Sequence, residues 1–162
     1  MKDLIMMIGA AASGKSTWTK KFLESTDKEY VVLGTDAIFV EWGKALGLNY
    51  SEAFKHFKYK DVEAEFDVRL ATAFAKEQNV IWDQTNLTLK TRTAKLARVP
   101  KGYRKRAVVF NLPKETVLER AKNPDRMAEG KHIPAVVIHG MFKQFEMPDK
   151  FEFDEIIEII TK

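Results

Sequence analysis

Residues Gly9-Ala10-Ala11-Ala12-Ser13-Gly14-Lys15-Ser16 spell a complete G-x-x-x-x-G-K-[ST] motif directly after an apolar run. Gly9 and Gly14 permit a backbone course and a close approach that a Cβ would obstruct, so consecutive N–H groups, including those at Ala12 and Ser13, can converge on phosphate oxygens. A helix opening after Gly14 adds the positive end of its dipole. Lys15 supplies a mobile charge for the β- and γ-phosphates, the Ser16 hydroxyl is placed to ligate a bridging Mg²⁺, and Thr17 offers a further phosphate contact. This combination implies binding of ATP or another nucleoside triphosphate. The competing reading is a plain glycine turn between a strand and a helix.

Three other places carry reactive side chains. Asp36 follows Val32-Leu33-Gly34-Thr35 and could accept a proton from an attacking hydroxyl while orienting it in line; it could equally be the N-cap of a helix beginning at Ala37. Asp83 ends Val80-Ile81-Trp82 and precedes Gln84-Thr85-Asn86. A carboxylate there suits Mg²⁺ held through water, whereas Thr85 and Asn86 also suit turn and cap duty for a helix near Thr88. Arg120 and Arg126 border the segment Asn123-Pro124-Asp125-Arg126-Met127-Ala128-Glu129-Gly130-Lys131. It reads either as a lid at about 123–134 that brings arginines onto a transferring phosphoryl group, or as a solvated surface loop. The basic cluster from Lys101 to Arg106 reads as the solvated start of a strand more readily than as a nucleic-acid contact.

The elements that must position these residues follow from periodicity. Leu4 to Ile8, Tyr30 to Leu33, Val80 to Trp82 and Ala107 to Leu112 are short apolar runs without polar alternation, the mark of buried strands. Between them, Trp18 and Phe22 mark one helix, and Val62, Phe66, Leu70 and Phe74 recur at i+4 steps in a long second one. Pro134 opens another, with Ile138, Met141, Phe142 and Phe145 expected on one face. Strands alternating with helices imply right-handed crossovers, hence an α/β fold of three layers with a mainly parallel sheet and helices on both faces. In such sheets ligands bind beyond the carboxyl ends of the strands, which selects Gly9 to Thr17, Gly34 to Asp36, Asp83 to Asn86 and the region after Leu112.

Bulk properties are consistent with one domain over residues 1–162. There is no apolar stretch of bilayer length and no repeat or linker. Lys2, an apolar run and Ala10-Ala11-Ala12 imitate a signal peptide, but Asp3 and the brevity of the run argue against it. Cysteine is absent and the three histidines are scattered, which excludes thiolate metal sites and suits a reducing cytoplasm. Against 27 basic residues stand 23 acidic ones, a mild charge of +4 that permits a polyanionic partner without requiring one.

With these motifs in place the chain resembles the kinase domain of the 5′-hydroxyl polynucleotide kinase family. The stretch Met1 to Trp18, the Asp after the second strand, Asp83-Gln84-Thr85-Asn86-Leu87, the Arg120/Arg126 pair and Met141-Phe142-Lys143-Gln144-Phe145-Glu146-Met147-Pro148 have counterparts there in the same order. The resemblance implies a P-loop kinase fold and NTP- and Mg²⁺-dependent phosphorylation of the 5′-OH end of RNA or DNA. It further implies Lys15 and Ser16 at the triphosphate and metal, Asp36 as general base, and Arg126 with Arg120 at the γ-phosphate. Two positions depart from it: the phage-type enzymes have a basic residue before the catalytic Asp and an Arg three residues after it, where this chain has Thr35 and Phe39. The chain is also similar to the kinase-like domain of heterogeneous nuclear ribonucleoprotein U, which carries Asn at the position of Asp36. Two further functions therefore stand beside the first, a small-molecule kinase of the same fold and a nucleotide-binding RNA-interaction module with little turnover.

Overall fold

A computed structural model describes residues 1–128 and 130–160. Its strands are β1 (Lys2–Ile8), β2 (Tyr30–Leu33), β3 (Asn79–Trp82), β4 (Tyr103–Phe110) and β5 (Glu155–Ile159). They form one sheet in the order β2-β3-β1-β4-β5, with every neighbouring pair parallel. The helices are α1 (Lys15–Ser25), α2 (Thr35–Ala45), α3 (Tyr50–His56), α4 (Tyr59–Ala75), α5 (Leu89–Leu96), α6 (Lys114–Ala121), α7 (Pro124–Ala128) and α8 (Ala135–Gln144).

Side chains of the central strand β1 alternate between two cores, because successive Cβ atoms leave a strand on opposite faces. Leu4, Met6 and Ile8 pack with Val62, Phe66 and Leu70 of α4 on one side, and Ile5 and Met7 pack with Val117, Ala121 and Ile138 on the other. Both faces are covered, which is why β1 reads as a continuous apolar run. The three-layer parallel α/β architecture expected from the sequence is the observed one. Among the described residues no helix is long and apolar enough to cross a membrane.

Three local features differ from what the apolar runs and helical periodicity alone imply. β4 begins at Tyr103, four residues before the apolar run, because its basic residues have a buried partner: Asp3, only 1% exposed, lies 3.2 Å from Arg104 Nε and 3.4 Å from Arg106 Nη1. Burial pushes the Asp3 carboxyl up, but hydrogen bonds from Tyr30 and Lys28 and the charges of Lys28 and Arg104 outweigh it, and the group is held below its ordinary value. Second, β5 is an edge strand whose Glu155 and Glu158 interrupt the apolar signal. Third, Phe145 lies one residue past α8 in extended backbone and packs with the opposite core, while Ile138, Met141 and Phe142 share one face as expected. The chain turns there because Glu146 N–H donates to the Leu87 carbonyl at 2.8 Å.

Behind the carboxyl end of β3, the fully buried Arg92 donates to Glu152 Oε1 at 2.7 Å and to the carbonyls of Asn86 and Leu87 at 3.0 Å. Removing one member of such a pair strands the other charge. Arg92→Met is therefore expected to cost about 3–5 kcal/mol, read as a lower denaturant midpoint. Gly34 backs directly onto the main-chain carbonyl of Asp83, in the space a Cβ would need. Gly34→Ala must push β2 and β3 apart at that end, with an expected loss of about 1–3 kcal/mol in the same unfolding experiment.

Candidate functional site

The four segments selected beyond the strand ends converge on one cleft of about 830 Å³. Ala11 to Trp18 form its floor, Asp36 and Ala37 one wall, Asp83 to Thr85 the back, and Arg120, Arg126 and Lys131 the opposite wall.

The loop after β1 is anchored by Gly9 N–H, which donates to the Thr85 carbonyl at 3.0 Å, so the floor is tied to the end of β3. Ala12 (φ 64°) and Gly14 (φ 100°) take left-handed conformations that turn the loop into the start of α1. A Cβ on Gly14 would come within 2.9 Å of Arg120 Nη1, which donates to the Ser13 carbonyl at 3.1 Å. Arg120 thus leans on the loop from α6. Lys15 Nζ donates to the carbonyls of Gly9 and Ala10 at 2.7 and 3.2 Å. Burial pulls Lys15 down to about 8, with the charge of Arg126 acting in the same direction and those of Asp83 and Asp36 opposing it. Ser16 and Thr17 are exposed on the first turn of α1.

Asp36 does not cap α2. That helix starts one residue before it, its N-cap is Gly34, and no side chain performs the capping. The Asp36 carboxylate is exposed in the cleft and accepts a hydrogen bond from the Tyr50 hydroxyl at 2.8 Å. Burial and the neighbouring Asp36 charge raise the Tyr50 phenol above its ordinary value, so it stays protonated and donating. Sequence reasoning missed Tyr50: the Asn49-x-x-Glu52 spacing, which forms a reciprocal cap, is a signal for α3, but no spacing announces that Tyr50 reaches Asp36. Asp83 is half-buried at the back, where burial raises its carboxyl against the pull of Lys15, and Asp36 raises it further.

Asn86 falls outside the cleft. It is 2% exposed with φ 48°, and its side-chain amide donates to the Met7 carbonyl at 2.8 Å, stitching β3 to β1. Thr88, not Asn86, caps α5. Gln84, which the sequence reading left without a role, donates to Thr35 Oγ1 at 3.3 Å and accepts from Trp82 and Lys95. Phe39 is fully buried, so that position presents no group to a ligand. Lys101 to Arg106 lie at and just before the start of β4, at the amino-terminal ends of the strands and away from the cleft.

The segment expected as a lid contains α7, and Glu129 lies outside the described residues. Arg126 Nη2 donates to the Lys131 carbonyl at 3.4 Å, whereas its Nε is buried with no partner. Ser13 Oγ is likewise buried without a partner. Orphaned polar atoms of this kind cost about 1–3 kcal/mol each unless something satisfies them. Arg126 lines the cleft and Ser13 belongs to its floor. An anion seated in the loop fits this donor set. Among the described residues no three His, Cys, Asp or Glu side chains cluster as a metal cage. The Ser16 hydroxyl and the Asp83 carboxylate, both lining the cleft, are hard oxygen donors of the kind Mg²⁺ takes.

Comparison with known proteins agrees with this architecture. The chain is 26% identical over 161 residues to heterogeneous nuclear ribonucleoprotein U-like protein 2 of Mus musculus, covering 95% of this chain. It spans about a fifth (21%) of that relative's length. In the Pnkp1/Rnl/Hen1 RNA repair complex, one chain superimposes with a TM-score of 0.69 at 24% identity, over 88% of this chain and 43% of that one. A sugar kinase from Janibacter sp. HTCC2649 superimposes with a TM-score of 0.59 at 18% identity, over 99% and 85%. These structural likenesses establish the P-loop kinase fold. The model of the AAA domain family matches residues 4–148, nearly the whole chain, and the protein belongs to that family of P-loop domains.

Proposed function

We propose that this chain transfers the γ-phosphoryl group of a nucleoside triphosphate to the 5′-OH end of a polynucleotide. The observation that carries the reading is a carboxylate, Asp36, presented across the same cleft as the phosphate loop, with one oxygen held by Tyr50 and the other free to face an acceptor. A nucleotide-binding module without turnover has no use for that arrangement.

Each residue then has a task. The backbone of Gly9 to Gly14 cradles the phosphates, with Ala12 and Ser13 in the turn, and Lys15 leaves its loop carbonyls for the β- and γ-phosphates. Ser16 and Asp83 would hold Mg²⁺, Asp83 through water, and Thr17 would contact a phosphate beside them. When bound, the metal neutralises charge on the β- and γ-oxygens. Asp36 takes the proton of the acceptor hydroxyl as its oxygen bonds to the γ-phosphorus, and the bond to the bridging oxygen breaks to release the diphosphate. Residues 123–134 act as a lid that brings Arg126 onto the transferring group, giving its orphaned Nε an acceptor, while Arg120 stays against the loop.

The RNA-repair structure and the ribonucleoprotein relative support a polynucleotide acceptor. The sugar-kinase likeness supports a second reading, transfer to a small alcohol. Incubation with labelled ATP, Mg²⁺ and either 5′-OH RNA, 5′-OH DNA or a panel of small alcohols separates them. Label is expected on the polymer ends; label confined to a small alcohol would refute the polynucleotide acceptor. Asp36→Asn is expected to slow transfer about 10²–10⁴-fold with nucleotide affinity retained, measured by steady-state kinetics and nucleotide titration. Arg126→Ala is expected to lower kcat by roughly 10²–10³-fold, the scale for loss of one transition-state donor.

A further inference from the structure

Tyr50 is the inner end of an aromatic surface. On α3, Tyr50 and Phe54 are four residues apart and so share a face, with ring centroids 6.1 Å apart. Both rest on the buried ring of Phe39, at 6.3 and 5.1 Å, and Tyr59 at the start of α4 rests on the same ring at 6.1 Å. Phe39 thus props three rings from below. Two of them lie open to solvent: Phe54 is 50% exposed and Tyr59 48%. Large exposed rings side by side are costly to leave in water and mark a binding surface more often than an accident.

What the surface would bind follows from its position and charge. It begins at the hydroxyl that holds Asp36, so its inner end lies beside the carboxylate proposed to take the acceptor's proton. Lys55, Lys58 and Lys60 are interleaved with the rings, all exposed, against the single acidic residue Glu52 between positions 50 and 60. Glu52 is engaged at the N-terminus of α3, where it accepts from Asn49 N–H. Flat rings alternating with cations are the elements of a single-strand binding track, bases on the rings and phosphates on the lysines. A small-alcohol acceptor would reach Asp36 without touching Phe54 or Tyr59, which lie outside the cleft.

Resting on the polynucleotide reading above, we infer that Tyr50, Phe54 and Tyr59 form a stacking ledge for the bases of the first nucleotides of a single-stranded 5′-OH end, with Lys55, Lys58 and Lys60 along its backbone. Position 39 itself offers nothing to a strand: it is a fully buried phenylalanine that supports the three rings. Because every base has a π-face, the ledge tolerates any sequence, and RNA and DNA alike.

The test uses the full chain, with short single-stranded 5′-OH RNA and DNA and the same strands made abasic at the second and third nucleotides. Equilibrium binding and steady-state transfer are both measured. Removing both bases is expected to raise the acceptor KM about a hundredfold for the unaltered protein, two lost stacking contacts at about tenfold each. Phe54→Ala and Tyr59→Ala should each raise it about tenfold on base-bearing strands, add nothing on abasic ones and leave the KM for ATP unchanged. Phe54→Trp should restore the acceptor KM. If transfer to strands proceeds with the same KM whether or not bases are present, the ledge is refuted while the polynucleotide kinase reading stands. If no strand is bound or phosphorylated, both fall together.

Discussion

The site depends on how three parallel strands are held together at their carboxyl ends. The floor loop is tied to β3 through Gly9 N–H and the Thr85 carbonyl, β3 to β1 through the Asn86 amide and the Met7 carbonyl, and β2 lies against β3 with no room for a side chain at Gly34. Backbone groups and a buried amide make these connections, so they leave little freedom for rotamer change. Everything reactive hangs from this seam: Lys15 where β1's loop enters α1, Asp36 just after β2, Asp83 at the tip of β3. Arg92 stiffens it from behind by holding the carbonyls of Asn86 and Leu87.

Electrostatics divides the cleft into two halves of different character. On the donor side, Lys15 and Arg126 repel each other in a partly dry environment, and burial has already brought Lys15 down to about 8. Such a site is short of negative charge and gains by receiving phosphates. On the other side, Asp36 is exposed and fastened by Tyr50, and Asp83 between the halves is raised by burial. Cationic and anionic groups therefore line the same cleft, with the sheet fixing where each stands.

Much of this arrangement is legible locally. The phosphate loop could be read because its chemistry needs small residues, a lysine and a hydroxyl at fixed spacing on one turn, and the central strands could be read because β1 and β3 are covered on both faces. The weaker elements escaped for definable reasons. β5 is an edge strand with two glutamates, and the start of β4 is basic because Asp3, one strand away, compensates it. Asp36 satisfied a capping pattern by type, yet the helix begins a residue earlier and its carboxylate has another use. Asn86 suited turn duty equally well, and the tertiary structure spends it on bridging two strands.

By itself the sequence determined the α/β class, the order of its main elements, the phosphate-binding loop and the rule that residues following each strand end would meet. Those properties rest on short-range spacing and on hydrophobic periodicity, which a linear chain displays. Only the tertiary structure decided that Tyr50 fastens Asp36, that Gln84 joins Thr35, that Phe39 points into the core and props an exposed aromatic face, and that Arg126 and Ser13 carry unpartnered polar atoms in and beneath the cleft. The first three are meetings of side chains from different elements, and the last is a place where no side chain meets a buried polar atom. Their directions are set by how helices cross the sheet, and no spacing along the chain encodes that.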